Sequence, residues 1–153
     1  MLYVAYGSNM NLEQMAYRCP NSVIKGNGKL KGMKLIFNVH ADVIKGKKSD
    51  CVPVVLWDIH KTDWEMLDIY EGYPKYYVKK RVKVFMDTGE TVKAIIYVMN
   101  DDVKGICPPF KSYFDVCETG YIENGIDTKY LYDALDFSIE NETMYNQYCI
   151  RGM

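Results

Sequence analysis

One carboxylate in this sequence sits where a helix buries its apolar side. In "HKTDWEMLDIYEGYPKYY", Thr62 and Glu65 have the T-x-x-E spacing of a capping box. A helix starting after Thr62 would run to about Tyr70 and end at Gly72, with Pro74 just beyond. On it Trp64, Leu67 and Glu71 fall at i, i+3 and i+7, along one face. A carboxylate on that face loses solvation, which raises its proton affinity. It also stands at the helix C-terminus, where the dipole disfavours negative charge by about 0.3–1 kcal/mol. One residue thus breaks two local rules, as functional residues do. An acid tuned toward neutral pH suits proton transfer. From pattern alone, a Glu71 turned to solvent at a fraying helix end is an equal alternative.

The second candidate is the opening stretch "LYVAYGSNMNLEQM". A short apolar run passes into Tyr6, Gly7, Ser8 and Asn9 and then into a helix-like run. Such a loop presents backbone N–H groups and a positive dipole end to an anion. It carries one glycine and no G-x-x-x-x-G-K, so it is not a phosphate loop of the nucleotide-binding kind. A single amino-acid carboxylate fits it better in size, and Gly7 would allow close approach to the backbone. The bland alternative is a strand-to-helix turn, which the pattern alone favours. Other residues offer less. His40 and His60 lie 20 positions apart without metal-ligand spacing. Ser8 lacks a G-x-S-x-G context, and no cysteine sits in a nucleophile signature. Tyr113 and Gly120 lie on an expected helix and also suit a core. No metal and no organic cofactor is suggested.

The elements that must position these groups read as follows. Leu2 to Ala5 is a strand buried on both faces. Asn11, with Gln14 three residues on, opens a helix "LEQMAYR" that stops before Pro20. Strands are expected at Lys34 to Val39 and Cys51 to Ile59, with the basic stretch between them as loop. Pro53 implies an edge position or a bulge. "YVKKRVKVFM" and "ETVKAIIYVM" form a hairpin around the Asp87–Gly89 turn. From Pro109 on, "FKSYFDVCETG" and "DTKYLYDALDF" are helical, and the tail from about residue 138 stays open. Strands and helices do not alternate regularly, so the class is α+β rather than a doubly wound sheet.

Length and composition set the bounds. A chain of 153 residues, 48% hydrophobic and 25% charged, reads as one domain over 1–153 with a core of its own. Its net charge of −1 offers no field for nucleic acid. The lysines at Lys25 to Lys34 and Lys45 to Lys48 read as a solvated face. No apolar run reaches the length of a membrane span. The cysteines Cys19, Cys51, Cys107, Cys117 and Cys149 are odd in number and form no C-x-x-C pair. That argues against a disulfide framework or a structural zinc site, and reduced thiols fit a cytoplasmic location. Strand-like sequence from Leu2 leaves no room for a signal peptide.

Three segments resemble the gamma-glutamylcyclotransferase family, which includes the AIG2-like proteins and the gamma-glutamylamine cyclotransferases. They are "YVAYGSN", "LDIYEGYPKYY" and "PFKSYFDVCETGYIENGI", in family order, and the likeness covers most of Leu2 to Leu135. The resemblance implies a small mixed β-barrel or barrel-like sheet flanked by helices, with a cavity at its mouth. It implies that Tyr3, Val4, Ala5, Tyr6, Gly7, Ser8 and Asn9 hold a gamma-glutamyl group, chiefly through backbone groups. It implies Glu71 as general acid/base and Tyr77 and Tyr113 as pocket tyrosines. The implied reaction cyclises a small gamma-glutamyl amide or peptide to 5-oxoproline and frees the amine, without cofactor. A non-catalytic member of the fold, binding a small acid or a protein partner, is the alternative; the retained Glu71 disfavours it.

Overall fold

The computed structural model describes residues 1–143. The open question of the tail from residue 138 is answered only in part: Ser138 belongs to the last helix, and 144–153 lie outside the described residues. The strands are β1 (Leu2–Ala5), β2 (Val23–Lys31), β3 (Met33–Asn38), β4 (His40–Lys45), β5 (Cys51–Asp58), β6 (Tyr77–Met86) and β7 (Thr91–Met99). The α-helices are α1 (Leu12–Arg18), α2 (Trp64–Glu71), α3 (Lys111–Glu123) and α4 (Lys129–Glu140). Five strands close a barrel in the order β1-β5-β2-β6-β7. The seam is the parallel pairing of Tyr3 with Ile95; the other ladders are antiparallel. β3 and β4 form a separate hairpin. The architecture is a mixed, barrel-like sheet with helices around it, as the resemblance implied.

Two strands were missed. β2 is hard to read because its sequence, "VIKGNGKLK", contains two glycines and three lysines. Gly28 is buried against β6, where a Cβ would lie 2.8 Å from the Phe85 carbonyl oxygen and 2.9 Å from Val84. Only glycine lets the two backbones come so close. β4 occupies the start of the stretch expected to be loop. Its residues Ala41, Asp42 and Val43 are buried, and Asp42 accepts the Met99 N–H (3.0 Å), tying the hairpin to β7. The lysines at 25, 29, 31, 45, 47 and 48 are exposed, a solvated face.

The caps differ in part from expectation. Asn11 caps α1 by accepting the Gln14 N–H (3.0 Å), but the Gln14 side chain turns to Arg18 instead of reaching back. The T-x-x-E box does not form: Asp63 is the N-cap of α2, without a side-chain cap bond. Its carboxylate accepts from the Asn21 N–H (2.9 Å) and the Ser22 hydroxyl (2.8 Å), bracing another turn. Gly72 ends the helix at φ 64°, the left-handed conformation expected of it. Pro53 pairs with Lys29 where β5 runs on past the last β1 partner, Val55, so it breaks no ladder on that side. Cys107 is disulfide-bonded, which corrects the expectation of five reduced thiols and removes that argument for a cytoplasmic location. Cys19, Cys51 and Cys117 are free, and Cys149 lies outside the described residues.

Candidate active site

The opening loop leaves β1 at the barrel mouth and turns through a short 3₁₀ segment, Ser8–Met10, into α1. α3 supports it from below. Asn11 Nδ2 donates to the Val116 carbonyl (3.1 Å) and Asn124 Nδ2 to the Met10 carbonyl (2.8 Å). A Cβ on Gly120 would meet the Asn11 nitrogen at 2.7 Å, so the helix lies directly on the loop. The loop's own hydrogen bonds run from Met10 N–H to the Gly7 carbonyl (3.2 Å) and from Asn11 N–H to the Ser8 carbonyl (3.0 Å). These do not use the N–H groups of Gly7, Ser8 and Asn9.

Above the loop is a cavity of about 250 Å³. That is just below the range of about 300–1,000 Å³ usual for drug-sized ligands, so it suits a small metabolite. Tyr3, Tyr6, Gly7, Ser8, Asn9, Glu71, Tyr77 and Tyr113 all line it. Val4 and Ala5 do not: both are buried in the barrel core, where they anchor the loop. A Cβ on Gly7 would lie 3.0 Å from both the Ala41 Cβ and the Tyr113 hydroxyl. Gly7 therefore keeps the cavity floor clear, at an ordinary negative φ.

Glu71 closes one wall from the last turn of α2, half-buried. Asn9 Nδ2 donates to its Oε1 (3.3 Å) and to the Tyr3 hydroxyl (2.9 Å). Burial pushes the Glu71 carboxyl up to about 8, with the Arg18 guanidinium pulling the other way. The surrounding phenols are neutral. Burial raises Tyr3, Tyr6, Tyr77 and Tyr113 well above their usual value. Tyr77 donates to the Ala41 carbonyl (2.6 Å), and Tyr113 accepts the Ala41 N–H (3.1 Å). Tyr6 donates to the Tyr97 carbonyl (2.6 Å). One polar wall thus combines a proton-holding carboxyl, an amide donor and a set of fixed hydroxyls.

Sequence reasoning missed several residues here. The hairpin turn at Val39, held at φ 66°, brings His40 and Ala41 to the cavity. His40 packs edge-on against Tyr113, ring centroids 4.9 Å apart, and burial lowers its proton affinity. Tyr70, Gly72 and Tyr76 also line the site, and flank Glu71 and Tyr77 in sequence; Tyr97 comes from β7. Arg18 stacks 3.4 Å above the Tyr70 ring and donates to Asn9 Oδ1 (2.5 Å). Its i+4 spacing from Gln14 was the one local signal. Among the described residues, no group of three or more His, Cys, Asp or Glu is placed to hold a metal ion. Burial raises the Cys19 thiol to about 11 and Cys117 to about 12, which keeps both unreactive.

A half-buried carboxyl and neutral hydroxyls around a cavity at the mouth of a closed barrel make this the candidate site. The family model for gamma-glutamyl cyclotransferase, AIG2-like, matches residues 3–114, and the chain belongs to that family. It is 29% identical to human gamma-glutamylcyclotransferase, over 84% of this chain and 74% of the human one. It is 27% identical to a putative gamma-glutamylcyclotransferase of Methanocaldococcus jannaschii over half of its length, spanning 65% of the archaeal chain. A solved gamma-glutamyl cyclotransferase structure superposes with a TM-score of 0.76 at 23% identity, over 100% of this chain and 99% of that one. That likeness speaks for the fold.

Proposed function

We propose that this protein is a gamma-glutamylcyclotransferase with Glu71 as its general acid/base. The observation that carries the reading is the Glu71 carboxyl, raised to about 8, in a metabolite-sized cavity beside the opening loop. In the reaction the substrate's α-amine attacks its own γ-carbonyl carbon. The new C–N bond closes a five-membered lactam, and the bond to the leaving amine breaks. The attack is intramolecular, so the protein chiefly holds the substrate folded. The α-ammonium must first lose a proton, which Glu71 accepts and then delivers to the departing nitrogen. A carboxyl near neutrality serves both steps. The N–H groups of Gly7 to Asn9 suit the substrate α-carboxylate or the oxyanion of the tetrahedral intermediate.

The test is direct. Purified protein is incubated with gamma-glutamyl amino acids, gamma-glutamyl amines and gamma-glutamyl-lysine, and 5-oxoproline is measured. Release from at least one of them is expected. Measurable binding of these compounds with no 5-oxoproline from any would instead identify a binding protein.

A further inference from the structure

Asn9 is the hub of the polar wall, and its amide has two ways to lie. An amide oxygen and an amide nitrogen are nearly the same size, so packing does not choose between them; hydrogen-bond partners do. Nδ2 faces the Tyr3 hydroxyl and Glu71. A phenol donates or accepts, and so does a protonated carboxyl, so neither fixes the amide. Oδ1 faces Arg18. A guanidinium has donors and no acceptor, so it alone requires the oxygen on its side and the N–H₂ on the side of Glu71.

Arg18 is itself held on three sides. It donates to Gln14 Oε1 (2.5 Å) as well as to Asn9, and its plane lies on the Tyr70 ring. Tyr70 in turn shares a hydrogen bond with Ser8 (2.9 Å). The half-buried Arg18 therefore belongs to a bracket joining α1, the opening loop and the end of α2. The titratable groups facing Glu71 from the packed elements are Arg18 on α1, Tyr3 on β1, Tyr6 in the loop, Tyr70 on α2, Tyr77 on β6, Tyr97 on β7 and Tyr113 on α3, with Tyr76 and the His40 ring of β4, whose proton affinity burial lowers, across the same cavity. Arg18 is the charged member of that set.

We propose that Arg18 is a positioning residue that fixes the Asn9 amide with its N–H₂ toward Glu71 and so keeps the Glu71 carboxylate available as a base. Without it the amide turns freely whenever Glu71 is protonated, and the ionised carboxylate loses both a constant donor and a nearby cation. Both losses favour the protonated form. The role of Glu71 as base rests on the proposed function; its titration does not.

The experiment uses both readouts on the full chain. The Glu71 carboxyl is followed by ¹³C NMR in glutamate-labelled protein, assigned by the resonance absent from Glu71→Gln. In Arg18→Met, the Glu71 midpoint should move up by about one pH unit or more. In Arg18→Lys, which keeps a donor-only cation, it should return most of the way. The acid limb of kcat/KM should move with it, so that Arg18→Met loses about tenfold at pH 7 and recovers at higher pH. Arg18→Gln, whose amide can donate or accept, replaces the methionine variant should that one not fold. An unchanged Glu71 midpoint in the neutral variants overturns the proposal, even if activity falls. A midpoint that moves in the Arg18 variants, while the wild type releases no 5-oxoproline, would uphold Arg18's role and reject the enzymatic reading.

Discussion

Glu71→Gln separates the chemical role proposed for Glu71 from a structural one. The amide keeps the shape and can still accept from Asn9 Nδ2, but it cannot take up a proton. General acid/base groups contribute about 10²–10⁴-fold, so turnover should fall by about that factor. Stability should move the other way, and with pH. The folded-state proton affinity is raised from 4.5 to about 8, so ionised Glu71 is disfavoured by folding. Its contribution is fully favourable below about pH 4.5 and is lost as pH rises through about 8. At about 1.4 kcal/mol per unit, that shift bounds the effect at about 5 kcal/mol. Glu71 is only half-buried and the substitute amide must also leave water, so about 1–2 kcal/mol is the expected gain at pH 8.5. For a chain of this size that is a rise in Tm of about 2–8 °C. The gain should vanish near pH 4.5. Thermal unfolding at the two pH values, paired with 5-oxoproline release, measures both effects. A variant that is less stable at pH 8.5 and keeps its turnover would show Glu71 to be a structural partner and refute the reasoning.

Three more outcomes follow from the same geometry. Gly7→Val should fold, as judged by circular dichroism, yet lose most of its turnover, because its side chain enters the space bounded by Ala41 and Tyr113; normal turnover would make the loop a mere turn. kcat/KM for the wild type should rise with pH to an apparent midpoint near 8, as the free base is formed, and Glu71→Gln should lack that limb. Gly120→Ala should lower stability by about 1–3 kcal/mol in denaturant unfolding, since its Cβ meets the Asn11 nitrogen at 2.7 Å and backbone cannot yield cheaply; an unchanged midpoint would mean that α3 does not bear on the loop.

Much of this was legible in local sequence. The helix ends at Gly72, the β6–β7 hairpin and the Asn11 cap follow from period, turn chemistry and capping, which act over a few residues. Glu71 stood out because a buried-face carboxylate at a helix C-terminus breaks local rules. β2 escaped notice because glycine on its inward face hides the alternation, and the need for glycine there comes from β6, more than fifty residues away. β4 read as loop because its buried residues include Ala41 and Asp42, and the Asp42 carboxylate is accommodated by the backbone N–H groups of Met99 and Val43, the first of them on β7, far along the chain. The Thr62 box failed because the helix begins one residue later, after Asp63, and the Thr62 hydroxyl pairs with His60 Nδ1 instead. What the tertiary structure alone decided is the convergence: His40 from a hairpin tip, Tyr97 from β7, Tyr113 from α3 and Arg18 from α1 all meet one loop and one carboxyl. Ladder register and packing set those meetings, and they join residues whose separation along the chain leaves no local pattern to read.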